Sequence, residues 1–276
     1  GIPVLIVLGI VLAPALLLLL CTGLLAQDPS PTFRTWVDVV TVDAWVHDGG
    51  RPLTGLTAAD FDVRDNGVPQ QIQALGTTDS AHVIVGLDLS GSVDGETLER
   101  LRGGVRAVTT QLTSRDRLSL FTFGGDLRLL LRAAVPGTLE EAALARLEAD
   151  GATPLHDALV FGSALTHADA RPAVFLLFTD GRDTASWTTA AQALDVLRRT
   201  AVVVYPIGAG LAAAIPNDVA SQYFARDFWI APTAGDTLRL LQSAATATGG
   251  EFLRIGRRSD LARPFRDILG RYRRRY

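Results

Sequence analysis

The stretch AHVIVGLDLSGS, residues 81–92, opens with an apolar run and closes with an acid and two serines. A run with no apolar–polar alternation reads as a strand buried on both faces, which belongs in a parallel sheet covered by helices on either side. Asp88 ends that strand, and Ser90 and Ser92 stand in the loop that follows it. A second run of the same kind, AVFLLFTD (173–180), ends in Asp180 and is followed by Gly181. Between the two lies Gly151-Ala152-Thr153-Pro154, a loop threonine ahead of a helix, with proline at the first helical position.

From these anchors the rest of an α/β domain can be read outward. Strands are expected at Ala81–Asp88, Leu118–Phe123, Asp126–Leu131, Ala173–Asp180, Val202–Ile207 and Glu251–Ile255. Leu98, Leu101, Val105, Val108 and Leu112 recur at helical spacing, as do Leu238, Leu241 and Ala245, with Gly249 placed to end the second helix. Only Gly124 and Gly125 separate two of the strands, so these form an antiparallel hairpin. The expected fold is a doubly wound, mostly parallel sheet with one antiparallel edge strand and helices on both faces. A small β subdomain precedes it over Thr35–Leu75. It holds a strand at Trp36–His47 and a hairpin of Phe61–Asp65 with Val68–Leu75 around Asn66-Gly67, a pair suited to a type I′ turn. Thr57–Asp60 reads as one helical turn.

The chain has 276 residues, 48% hydrophobic and 20% charged, enough for one sizeable domain with an appendage and unlike a disordered protein. A net charge of −3 supplies no basic field for nucleic acid. Ile2–Ala26 carries no charge and reads as a signal peptide or a membrane anchor, which places the remainder in a secreted, periplasmic or cell-surface setting. With no Met at all, the natural N-terminus is expected upstream of Gly1. The single cysteine, Cys21, lies inside the apolar segment, so disulfides and thiol chemistry are excluded downstream. The expected organisation is 1–26 signal or anchor, 27–78 linker and β subdomain, 79–258 α/β domain, and 259–276 a basic amphipathic helix.

In an open parallel sheet, ligands bind beyond the carboxyl ends of the strands, where Asp88, Ser90, Ser92, Thr153 and Asp180 all fall. Hard divalent cations take oxygen ligands, and magnesium keeps several of its waters. The three hydroxyls would bind such an ion directly, and the two carboxylates directly or through water. An ion so held retains positive charge and can accept an acidic group from a partner. The plain alternative is that Asp88 and Ser90 cap the next helix and Asp180-Gly181 is only a turn.

These five residues match every position of the metal-ion-dependent adhesion site of von Willebrand factor type A domains, and the chain from about Ser80 to Ile255 resembles that family. Val37–Ile72 and the tail resemble a bacterial, acidobacterial-type subgroup of it. The resemblance implies a non-enzymatic adhesion module that binds an Asp or Glu carboxylate of a protein partner through Mg2+, with Mn2+ or Ca2+ as alternatives. It also implies that the last helix leads into further strands near Tyr276. The competing functions are a metal-dependent hydrolase and a structural domain with a vestigial site.

Other motifs point elsewhere only weakly. His156 and Asp157 lie near Thr153, yet Ser90 is not in a Gly-x-Ser-x-Gly elbow, and His156 reads as a rim residue. There is no phosphate-binding loop and no lysine to complete one. Gly208–Gly235, with Tyr223, Phe224, Phe228 and Trp229, is placed to shape partner specificity or to fold back on the domain. Residues 257–276 carry eight Arg against Asp260 and Asp267, and Leu261, Phe265, Ile268, Leu269 and Tyr272 give that helix an apolar stripe.

Overall fold

The computed structural model describes residues 40, 42, 44–49, 51–77, 79–93, 95–139, 141–209, 234–256 and 261–276. The expected signal segment, the linker, the first part of the Trp36–His47 strand and the aromatic stretch at 210–233 lie outside the described residues. Among the described residues no helix is long and apolar enough to cross a membrane.

Uninterrupted apolar runs build the main sheet. β5 (His82–Asp88) and β8 (Ala173–Thr179) are buried at every position, and β6 (Arg117–Phe123) at all but its first. With β7 (Leu127–Ala134), β9 (Val202–Ala209) and β10 (Leu253–Ile255) they form a sheet in the order β10-β9-β8-β5-β6-β7. All neighbours are parallel except β6 and β7, which run antiparallel at one edge. The strand order reverses between β5 and β8, and their carboxyl ends carry Asp88 and Asp180.

Alternation of side chains along these strands divides the core into two layers. Val83, Val85 and Leu87 face α1 (Gly95–Gln111) and α6 (Ala262–Tyr272). Ile84, Phe121 and Phe175 face α3 (Leu155–Ala164), α4 (Ala190–Arg198) and α5 (Ala234–Ala247). A short α2 (Glu141–Ala145) leads toward the Thr153 loop. A Cβ on Gly162 of α3 would stand 2.2 Å from the Phe175 ring, so only glycine lets this helix seat so deeply on β8. In α6 the expected stripe is buried, with Phe265, Ile268, Leu269 and Tyr272 against the α1 layer, each side chain contributing about 1.5–3 kcal/mol of burial. After α5, Gly249 has φ +71 and Gly250 N–H donates to the Ala245 carbonyl, closing the helix as its glycine predicts.

The N-terminal β elements are much shorter than expected. β1 (His47–Asp48) pairs with β2 (Arg51–Pro52), and β3 (Arg64–Asp65) with β4 (Val68–Pro69), each for two residues. The Asn66-Gly67 turn does form, with φ of 48 and 84. The ladders stop there because, among the described residues, neither pair has a third strand or a buried face, and Pro69 lacks a donor. Within the described part of Trp36–His47 only His47 is in a strand. Thr57–Asp60 gives a single 3-10 turn at Ala58–Asp60, with a reciprocal Thr57–Asp60 cap. Ala44 and Tyr276 exchange both backbone hydrogen bonds, at 2.8 and 3.0 Å. The Tyr276 hydroxyl accepts from Leu56 N–H at 3.0 Å, and its ring packs on Phe61.

Candidate metal centre

Three loops converge beyond the carboxyl ends of β5 and β8, and backbone bonds lace them together. Leu89 N–H donates to Phe123 O, Asp150 N–H to Leu89 O, Gly91 N–H to Gly151 O and Gly125 N–H to Asp150 O, all within 2.7–3.0 Å. The approach is tight enough that Gly151 (φ +80) has no room for a side chain, its Cβ position lying 2.2 Å from Gly125 Cα.

On this frame Asp88 is fully buried. Its Oδ1 accepts from the Ser90 amide at 3.0 Å and its Oδ2 from the Thr179 hydroxyl at 2.6 Å. Burial pushes the Asp88 carboxyl up to about 6, against the pull of these hydrogen bonds. Ser92 Oγ donates to Asp180 Oδ1 at 2.9 Å and lies 3.1 Å from Ser90 Oγ. Thr153 Oγ1 and Asp88 Oδ2 lie 3.2 and 3.7 Å from the point where a Cβ on Gly181 would stand, so both oxygens face the same glycine. Thr153 is almost buried, and among the described residues its hydroxyl makes no hydrogen bond.

The structure therefore gathers all five sequence-predicted residues. Neither Asp88 nor Ser90 caps α1, which begins only at Gly95, and among the described residues no N–H of that helix donates to either side chain. Among these residues no three His, Cys, Asp or Glu side chains cluster as a metal site. A cation at this spot would rest on two carboxylates and three hydroxyls, a hard-oxygen set suited to Mg2+. The fit is physical as well as chemical, because a buried carboxylate held only by neutral donors, with no cationic partner among the described residues, is stabilised by positive charge.

Thr179 escaped the sequence reading. Its signal was a hydroxyl on an otherwise apolar strand, immediately before Asp180. The loop that follows Asp180 is also more ordered by side chains than its sequence suggests. Thr184 N–H donates to Thr153 O at 2.9 Å, and Thr153 N–H to the Thr184 hydroxyl at 2.8 Å. The His156 amide donates to Ser186 Oγ at 2.9 Å, and its ring Nδ1 lies 2.9 Å from Thr188 O, so His156 fastens the loop to α3. On the other side, a cleft of about 440 Å³ opens between Leu89, Gly124, Gly125, Arg128, Arg146 and Asp150.

The von Willebrand factor type A domain model matches residues 82–222, just over half of the chain. The chain belongs to the von Willebrand factor type A domain family. Domains of this family generally mediate protein–protein interactions, often with the help of a metal. Among solved structures, the VWA fold is shared with an aerotolerance-related membrane protein from Bacteroides fragilis, at 17% identity and TM-score 0.50. The match covers 70% of this chain and 98% of that one. A von Willebrand factor type A structure from Catenulispora acidiphila aligns at 20% identity and TM-score 0.52, over 69% of this chain and 42% of that one. BatB from Bacteroides thetaiotaomicron aligns at 17% identity and TM-score 0.51, over 70% and 98%. At these identities the likeness is one of fold. No curated protein matches the VWA chain at a significant level.

Proposed function

We propose that this VWA domain is an extracytoplasmic binding module that captures an acidic group of a partner protein through a divalent cation. Asp88, Ser90, Ser92, Thr153 and Asp180 would hold the ion, Mg2+ in the first instance and Mn2+ or Ca2+ as alternatives. The observation that carries the proposal is the continuous Ser90–Ser92–Asp180 hydrogen-bond chain beside a buried Asp88 that has no cationic partner among the described residues. With three of five donors neutral, a bound ion keeps much of its charge and attracts a partner's carboxylate. The proposed role is binding rather than catalysis, with the ion meeting the partner's carboxylate directly. The apolar Ile2–Ala26 segment supports placement outside the cytoplasm.

Calorimetric titration of Mg2+ and Mn2+ into the chain tests this. Saturable binding is expected, and both Asp180→Ala and Asp88→Ala should abolish it. Unchanged metal affinity in Asp180→Ala would overturn the assignment.

A further inference from the structure

Trp187 is 98% exposed, the most exposed large apolar side chain among the described residues and the one aromatic in that class. Tryptophan is among the costliest side chains to leave in water, and a large share of its surface is apolar. A floppy loop could carry such a residue without consequence, but this loop is held at almost every position. The Trp187 amide donates to Asp157 Oδ2 and the Thr188 amide to Asp157 Oδ1, both at 2.9 Å, and the Thr188 hydroxyl also donates to Oδ1. Ser186 Oγ donates to Asp183 and accepts from the amides of His156 and Asp157. Thr189 caps α4, its hydroxyl and amide both bonded to the Gln192 side chain. The backbone under Trp187 is thus fixed by the first turn of α3, while the indole stands in solvent.

The position of this loop gives the exposure a meaning. It starts at Asp180 and is tied through Thr184 to Thr153, so two of the five candidate ligands belong to the same rigid body as Trp187. Arg182, also exposed, lies on the loop between Asp180 and Trp187, and among the described residues it has no hydrogen bond or ion pair. A rigid aromatic with only two rotatable bonds, on the same tethered loop as an exposed guanidinium and the candidate ligand Asp180, is the arrangement that anchors protein partners at low entropic cost.

We infer that Trp187 is the apolar anchor of this face, and that the partner is a protein segment with a bulky aliphatic or aromatic residue within a few positions of its Asp or Glu. The inference rests on the metal-dependent reading above. The carboxylate meets the ion, Arg182 complements further acidic charge, and the apolar residue packs on the indole.

The test is selection of a displayed random nine-residue peptide library on the full chain in Mg2+, followed by calorimetry of the enriched peptides. Enriched sequences are expected to pair Asp or Glu with Leu, Ile, Phe or Trp. Trp187→Ala should weaken their binding by about thirtyfold or more, Trp187→Phe should recover most of it, and titration of Mg2+ alone should give the same affinity in all three proteins. Acidic peptides without an apolar neighbour, peptides indifferent to Trp187→Ala, or no enrichment while Mg2+ still binds would each overturn the role of Trp187 and leave the metal assignment standing. Capture that persists in chelator, or Mg2+ binding that survives Asp88→Ala, would instead overturn the metal reading and this inference with it.

Discussion

Two carboxylates, Asp88 and Asp116, are equally buried at opposite ends of β5, about 20 Å apart along the strand. Asp116 is saturated. Its Oδ1 accepts from Ala81 N–H at 2.9 Å, and its Oδ2 from the Thr113 amide, the Thr113 hydroxyl and Arg273 Nη2 at 2.6, 2.9 and 2.7 Å. Asp88 is met only by neutral donors from Thr179 and Ser90, with no cation among the described residues. The same group at the same burial is therefore a fastening at one end and an unfinished electrostatic arrangement at the other. On the proposed metal reading, a bound cation would supply the positive charge that this buried carboxylate lacks.

The sharpest way to break this contrast is to delete each carboxylate. Asp116→Ala leaves Arg273 and two backbone amides without their acceptor, and urea unfolding should register a loss of roughly 3–5 kcal/mol. Asp88→Asn should cost under about 1 kcal/mol in chelator, or even stabilise, because it removes an uncompensated buried charge. With Mg2+ at a hundred times its dissociation constant, wild type should gain about 2.7 kcal/mol and Asp88→Asn nothing. Equal losses for the two variants in chelator would erase the distinction.

A smaller effect sharpens the picture at the Asp116 end. His82, which opens β5, bonds Ser119 Oγ through Nε2 at 2.8 Å, and its Nδ1 has no partner among the described residues. Burial holds its imidazole below the ordinary value, with Asp169 opposing and Arg171 assisting. The unfolded chain takes up a proton near pH 6.5 and the native chain only below that, so this contribution is complete above about 6.5 and is lost as the pH falls. Between pH 7.5 and 5.5 the urea midpoint of wild type should fall relative to that of His82→Gln. Parallel curves would refute a role for His82.

How much of this was readable beforehand follows from what each feature depends on. The runs 82–88 and 173–179 announce buried strands because they are apolar at every position, and their terminal acids locate the site. Asp116 gives no such sign. Its donors come from residues 81, 113 and 273, which only the completed topology assembles. Thr179 and the clamp around Asp157 are hidden for the same reason. At Trp36–His47 and Val68–Leu75 the residues favour strands, but β propensity is realised only against a partner surface, and the hairpins there have none beyond two residue pairs.

The paired backbones of Ala44 and Tyr276 bear on how the molecule takes mechanical load. The two residues form one antiparallel hydrogen-bonded pair, so a pull on the amino side of Ala44 and on the carboxyl side of Tyr276 enters the pair from the same side. Tension across those two points would peel the pair open instead of sliding it, and bonds peeled in succession resist far less force than bonds strained together. The Tyr276 hydroxyl and ring, seated on Leu56 and Phe61, would release next. The six-stranded sheet would feel the pull only after this clasp had given way.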